Sequence, residues 1–188
     1  KGIQAKKAVK AGSARPASFS FDSAVLAKRL LSAAPERARE VLVRRFGLGA
    51  NPERETLESI GDRTSITRER VRQIEAAGLD AVRASKSFKD ASAAFGELAR
   101  YISSLGAIVP EETLLSVLGK DEKSRNRFRF FLVVDSSFFR ERETDDFLAR
   151  WHVDHATAKH IHNALSKLYV SLSDEEVVTE GKLLDKFL

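Results

Sequence analysis

The chain has 188 residues, 43% of them hydrophobic and 31% charged, which is room for one large or two small domains with packed cores. With no Cys there is no disulfide framework, thiol nucleophile or zinc knuckle, and no apolar run approaches the roughly 18 residues that a membrane span needs. The lack of any Met, an initiator included, leads us to expect a segment whose true N-terminus lies upstream. The formal charge of +5 is unevenly placed: residues 1–18 hold Lys1, Lys6, Lys7, Lys10 and Arg15 and no acid, while the rest carries 27 basic and 27 acidic residues. Up to Ala93 that remainder has 14 basic against 11 acidic, and beyond it 13 against 16. Bulk electrostatics therefore gives no case for nucleic-acid binding, which must rest on local placement of charge.

Residues 1–18 read as a basic flexible tail, too polar to bury a face. Val25, Leu26, Arg29 and Leu30 recur at helical spacing, and Pro35 forces a break before a second helix, 36–46, striped by Ala38, Val41, Leu42 and Phe46. Gly47 and Gly49 stop it. A short helix capped by Thr56 follows, then the tight turn Ser65-Ile66-Thr67, and Thr67 caps a long helix to about Ala84. This pair has a helix-turn-helix arrangement, with Gly61 as the small contact residue, Ile66 as the plug, and Val71 and Ile74 facing inward. The opposite face of the second helix carries Arg68, Glu69, Arg72, Gln73 and Ala76. Arg pairs with the two acceptors of guanine, Gln bridges adenine and Glu accepts from the cytosine amine, so the face suits base reading. A Glu69–Arg72 pair on a solvated helix is the plainer alternative.

In the segments Val41–Leu48 (VLVRRFGL), Thr56–Gly61 (TLESIG) and Thr67–Ala76 (TRERVRQIEA), the sequence resembles region four of bacterial primary-type sigma factors. The resemblance covers about residues 20–85. It implies a four-helix domain, here 19–88, whose last helix enters the major groove of the minus-35 promoter element while other surfaces dock the flap of the RNA polymerase beta subunit. It puts base reading on Arg68, Glu69, Arg72 and Gln73, and phosphate contacts on Thr67 and Arg70. Three departures stand out. Thr64 replaces a usual large apolar residue, Gly78 interrupts the long helix, and Asp80 and Ala81 occupy commonly basic positions, so weakened DNA binding is expected.

In the second half, a helix with Phe95, Leu98, Ala99, Ile102 and Leu105 inward ends at Gly106, and Pro110 opens another with Leu114, Leu115, Val117 and Leu118. A third runs from about Asp121 to Val133 with Phe128, Phe131 and Leu132 inward. Its Lys123, Arg125, Arg127 and Arg129, interleaved with Phe128 and Phe130, mark either a groove-facing helix or a core helix with a solvated basic face, and the net −3 of this half favours the second. Residues 137–143 read as a strand or hairpin arm, and Phe147, Leu148 and Trp151 close a winged-helix-like α+β domain, 93–151. In its opening ARYISSLGAIVPEETL, its middle RNRFRFFLVVDSSFFR and its terminal FLARW, this part resembles the small winged-helix domain of the RNA polymerase delta subunit and related fused helix-turn-helix domains. A C-terminal helical segment, 152–188, is expected to bury Ala158, Ile161, Leu165, Leu168 and Leu172. His152, His155, His160 and His162 crowd into 11 residues, but only the first two lie a turn apart, so we read them as rim residues and expect no metal.

The expected fold is thus mainly α: a four-helix helix-turn-helix domain, a winged-helix-like α+β domain and a C-terminal helix. No catalytic constellation emerges, Asp145 and Asp146 reading as first-turn charges of a helix. We expect a non-enzyme without cofactors, a bacterial, cytoplasmic, nucleoid-associated transcription factor that binds double-stranded promoter DNA and RNA polymerase and is not a membrane protein. The alternatives are a region-four mimic that occupies the polymerase flap without specific DNA contact, and a specificity module of a DNA-modifying system.

Overall fold

The computed structural model describes residues 17–171 except Ala107 and Asp146. Most of the basic tail, and within the C-terminal segment Leu172, Asp174–Glu176 and Thr179–Leu188, lie outside the described residues. In chain order the elements are α1 (Ser23–Leu31), α2 (Glu36–Phe46), α3 (Leu57–Thr64), α4 (Arg68–Ala84), the single turn α5 (Lys86–Lys89), α6 (Ser92–Leu105), β1 (Val109–Pro110), α7 (Glu111–Leu118), α8 (Glu122–Val134), β2 (Phe139–Glu141), β3 (Arg150–His152) and α9 (His155–Ser171). Among the described residues, mainly helical structure is joined by one small antiparallel sheet of order β1-β3-β2. No helix among the described residues is long and apolar enough to cross a membrane.

Local sequence accounts for the helix ends. The Asp22 carboxylate caps α1 by accepting from the backbone N–H groups of Ala24 and Val25, and those bonds hold it below the usual carboxylate range. Asp121 and Ser124 close a reciprocal capping box on α8. Gly47 ends α2 in the left-handed region at φ 61°, where it also lets the backbone pass Pro52 and Asn126 closely.

The expected stripe of α2 is buried as read, but α1 turns differently: Leu26, Ala27, Leu30 and Leu31 face inward while Val25 is 65% exposed. The folded body also begins before Phe19, because Ala17 donates its N–H to the carbonyl of Val117 and Phe19 packs 5.3 Å from Phe128. Pro110, expected only to open a helix, also ends β1, which pairs with β3 in the register Val109 opposite Trp151. The hairpin arm is shorter than 137–143, with β2 pairing Phe139 opposite His152. Asp145 leads into β3 and not into a helix, so no helix dipole accounts for it.

One hydrophobic core runs through both halves of the described chain, from Leu26, Leu30 and Leu42 through Leu98 and Leu114 to Phe131 and Trp151. Helix α8 lies at its centre. Phe130, interleaved with the basic residues of α8, is fully buried with its ring 5.4 Å from that of Phe46 on α2. Two of the basic residues on α8 are tied inward: Arg125 Nε donates to the carbonyl of Gly119, and Arg129 Nη1 to Asn126 Oδ1. Asn126, also fully buried, donates through Nδ2 to the carbonyls of Pro52 (2.7 Å) and Gly47 (3.3 Å) in the loop after α2. Arg83 of α4 spans the same seam, donating to the carbonyls of Val133 and Val134. Helix α8 is thus a core helix whose apolar side packs inward, with Lys123 exposed and Arg127 half-exposed on its basic side.

Candidate nucleic-acid interface

A smaller core of Ala38, Val41, Ile60, Val71 and Ile74, with Leu57 and Ile66 at its edge, fixes α3 and α4 on α2. Thr56 Oγ1 accepts from the Ser59 N–H to start α3. Ser65 takes the left-handed conformation (φ 54°) to end it, an uncommon conformation for a non-glycine residue that makes the turn tight. The Ile66 N–H then returns to the Gly61 carbonyl at 3.0 Å. Gly61 is required here, since a β-carbon on it would lie 2.6 Å from the Ile66 carbonyl oxygen. Thr67 Oγ1 accepts from the Arg70 N–H and starts α4.

With Val71, Ile74, Gly78, Leu79 and Val82 buried, the first two turns of α4 hold Arg68, Glu69, Arg70, Arg72 and Gln73 outward, all exposed. The structure therefore brings together on one exposed surface all six residues singled out from the sequence, Thr67 through its cap position included. Four of them bond to one another. Arg72 donates from Nε and Nη2 to the two oxygens of Glu69, both at 2.8 Å, in a bidentate pair; Arg70 Nη1 donates to Gln73 Oε1 at 3.0 Å. The Arg72 bond holds Glu69 below, and Arg72 above, its ordinary value. Of the six side chains Arg68 alone makes no hydrogen bond or ion pair among the described residues, although its charge helps to hold the neighbouring Glu69 carboxyl below its ordinary value.

Thr64, where a large apolar residue is usual, sits on the exposed rim, and its hydroxyl donates back to the Ile60 carbonyl. Gly78 has a packing reason, because its missing side chain lets α4 rest on Ala38 and Leu42 of α2. Asp80 is exposed and pairs with Arg83 at 2.9 Å, and Arg83, the basic residue in the last turn of α4, is drawn toward α8. Sequence reasoning passed over Arg63, whose side chain is more than half exposed in the last turn of α3 and pairs with Glu55 at 3.3 Å. A basic residue ending the first helix of the pair was the available signal.

The histidines are not all rim residues. His152 belongs to β3 and is 1% exposed, with both ring nitrogens lacking a hydrogen-bond partner among the described residues. His155 and His160 are exposed, and His162 is half-buried with Nδ1 3.2 Å from Arg150 Nη2. On α9 Ala158 is buried as expected, but Leu165 is exposed, while the side chains of Leu168 and Leu172 lie outside those described.

Residues 30–84 match the family model described as sigma-70, region 4. Over 56 residues, 30% of this chain, the sequence is 48% identical to "RNA polymerase sigma factor RpoS" of Coxiella burnetii (strain RSA 493 / Nine Mile phase I), of which the match covers 16%. The chain thus spans a small part of that relative's length. No solved structure matches the chain.

Proposed function

Proceeding from a sigma-70 region 4 domain in residues 30–84, we propose that this protein reads duplex promoter DNA of the minus-35 type and binds bacterial RNA polymerase. The carrying observation is the exposed face of α4, on which Arg68, Glu69, Arg72 and Gln73 project from a helix whose other side is locked into two cores. Arg68 enters the groove unpaired and meets the acceptors of a guanine. Glu69 and Arg72 arrive as a preformed planar pair, so binding a base through either needs the 2.8 Å bonds between them to open or be shared. Thr67, Arg70 and Arg63 lie around this face and set register on phosphates. In this reading the matched segment is regulatory and carries no catalysis, and the α+β part with its three-stranded sheet is winged-helix-like and acts as a brace for the reader.

The test is a mobility-shift comparison of Arg68→Ala with the unaltered chain on a minus-35 duplex and on random duplex at fixed salt. Loss of preference, worth about 1–3 kcal/mol on the specific site alone, is expected. Equal loss on both duplexes refutes base reading by Arg68.

A second reading has its own observation. The bonding of Glu69, Arg70, Arg72 and Gln73 to one another, with Arg83 drawn into α8, leaves most of the face self-satisfied, as suits a region 4 mimic that occupies the polymerase flap without specific DNA contact. Polymerase capture that survives Arg68→Ala and Gln73→Ala together, with no duplex preference in the unaltered chain, supports it.

A further inference from the structure

We propose that Glu141, His152 and His155 form a binding site for a divalent transition-metal cation of the zinc class. One ligand atom from each lies within 4.8 Å of the others. The three come from different elements. Glu141 ends β2, His152 ends β3 diagonally across the ribbon from it, and His155 is the first residue of α9.

The central observation is His152. It is 1% exposed, and neither ring nitrogen has a hydrogen-bond partner among the described residues, although buried polar groups are ordinarily hydrogen-bonded. Its Nε2 stands 3.5 Å from Glu141 Oε1. That is long for a hydrogen bond, yet it matches the edge of about 3.4 Å of a tetrahedron whose metal–ligand bonds are about 2.1 Å. The His155 ring, 5.7 Å from that of His152, completes the third corner by a side-chain rotation that its exposure permits.

Neighbouring groups leave the site to a cation. Arg150, opposite Glu141 in the ladder, sends its guanidinium away to the Leu148 carbonyl, His162 and the Phe147 ring. Arg140 is engaged with Glu111. Asp154 spends its carboxylate on the Ala156 N–H and the Thr157 hydroxyl and does not become a fourth ligand. The Phe139 ring, stacked on His152 at 5.2 Å, shields one flank. Two imidazoles and one carboxylate select zinc or another late first-row metal over Mg²⁺ or Ca²⁺, which want oxygen alone, and leave a coordination position to water. The bound ion ties the β2–β3 ribbon to the start of α9.

The experiment uses the full 188-residue chain stripped with a chelator, titrated with Zn²⁺ against a chromophoric chelator, and with Mg²⁺ as control. One equivalent of Zn²⁺ is expected to bind and to raise the melting temperature. Glu141→Gln and His155→Ala, both at solvent-accessible positions, are each expected to weaken the affinity at least tenfold while leaving metal-free circular dichroism and melting unchanged. His160→Ala is expected to bind as the unaltered chain does. Absence of stoichiometric binding, or full affinity retained in both Glu141→Gln and His155→Ala, overturns the site.

Discussion

A β-carbon on Gly78 of α4 would stand 2.9 Å from the β-carbon of Ala38 on α2, and 3.2 Å from Leu42 Cδ1. Helix propensity alone favours Ala over Gly in a helix interior by about 1 kcal/mol. The packing term opposes it, since overfilling a close helix contact costs typically about 1–3 kcal/mol. Gly78→Ala is therefore expected to destabilise the protein by on the order of 1 kcal/mol, and Gly78→Val by more, in denaturant unfolding. An unchanged or higher midpoint for Gly78→Ala would show that α2 can yield at this point.

Asn126 joins α8 to the loop behind α2 through a fully buried amide that serves the Pro52 and Gly47 carbonyls and accepts from Arg129. Asn126→Ala strands the two carbonyls and removes an acceptor from a half-buried guanidinium, a loss of about 1–3 kcal/mol for each buried group left unsatisfied. Because the shared core runs from Leu26 to Trp151, the damage is expected to lower both halves together. Trp151 fluorescence reports the second half and far-ultraviolet circular dichroism the helices of both. Coincident transitions in the unaltered chain and in the variant are the expected outcome, and two separate transitions would mean that 19–88 and 93–151 unfold as independent units.

The reach of the sequence can be judged from particular residues. The stripe Ala38, Val41, Leu42, Phe46, the caps Thr56 and Thr67 and the inward Val71 and Ile74 were legible because each depends on neighbours within one or two helical turns. Val25 misled because its apolar side chain fits the same periodicity whichever way α1 is rotated, and the α8 contact decides the rotation. Phe130 follows the alternating Arg127-Phe128-Arg129 and so fits either a groove-facing or a core helix, and the ring of Phe46, 84 residues earlier, packs against it in the core. Strand β1 is two residues long and exists only through pairing with β3, and Glu141 meets His152 only through the ribbon register. Contacts of that kind carry no local signature.

Glu111, at the start of α7, supplies a pH-dependent link between elements. Burial alone would raise its pKa, but the hydrogen bonds from Arg140 (2.6 Å) and Trp151 Nε1 (3.0 Å), with the charges of Arg140 and Arg129, outweigh burial and hold it below the ordinary value. The folded state thus binds this proton less readily than the unfolded chain does. Its stabilising contribution is present above the unfolded carboxylate pKa and is lost as pH falls through the lower, folded value. Glu111→Gln is expected to lower stability at neutral pH and to flatten the acid limb of the stability curve. Measuring unfolding midpoints from neutral to strongly acidic pH with Trp151 fluorescence checks this; an acid limb of unchanged slope would assign the linkage to other carboxylates.

Arg72 allows stability and recognition to be separated. Its bidentate pair with Glu69 lies on the surface, with side chains 60% and 57% exposed, where such pairs contribute about 0–1 kcal/mol. Arg72→Ala is therefore expected to shift the unfolding midpoint little. On DNA the same change removes a base-reading fork and leaves Glu69 free to repel phosphate, so specific binding to a minus-35 duplex is expected to weaken by about 1–3 kcal/mol. Glu69→Gln discriminates further. If the pair must open before Arg72 reads a base, this change lifts that restraint and strengthens binding; if Glu69 itself accepts from a cytosine amine, specificity falls at that base pair alone. Binding measured over a panel of single-base variants of the duplex, with melting recorded for the same proteins, distinguishes the two, and a midpoint shift as large as the binding loss would reassign Arg72 to holding the helix together.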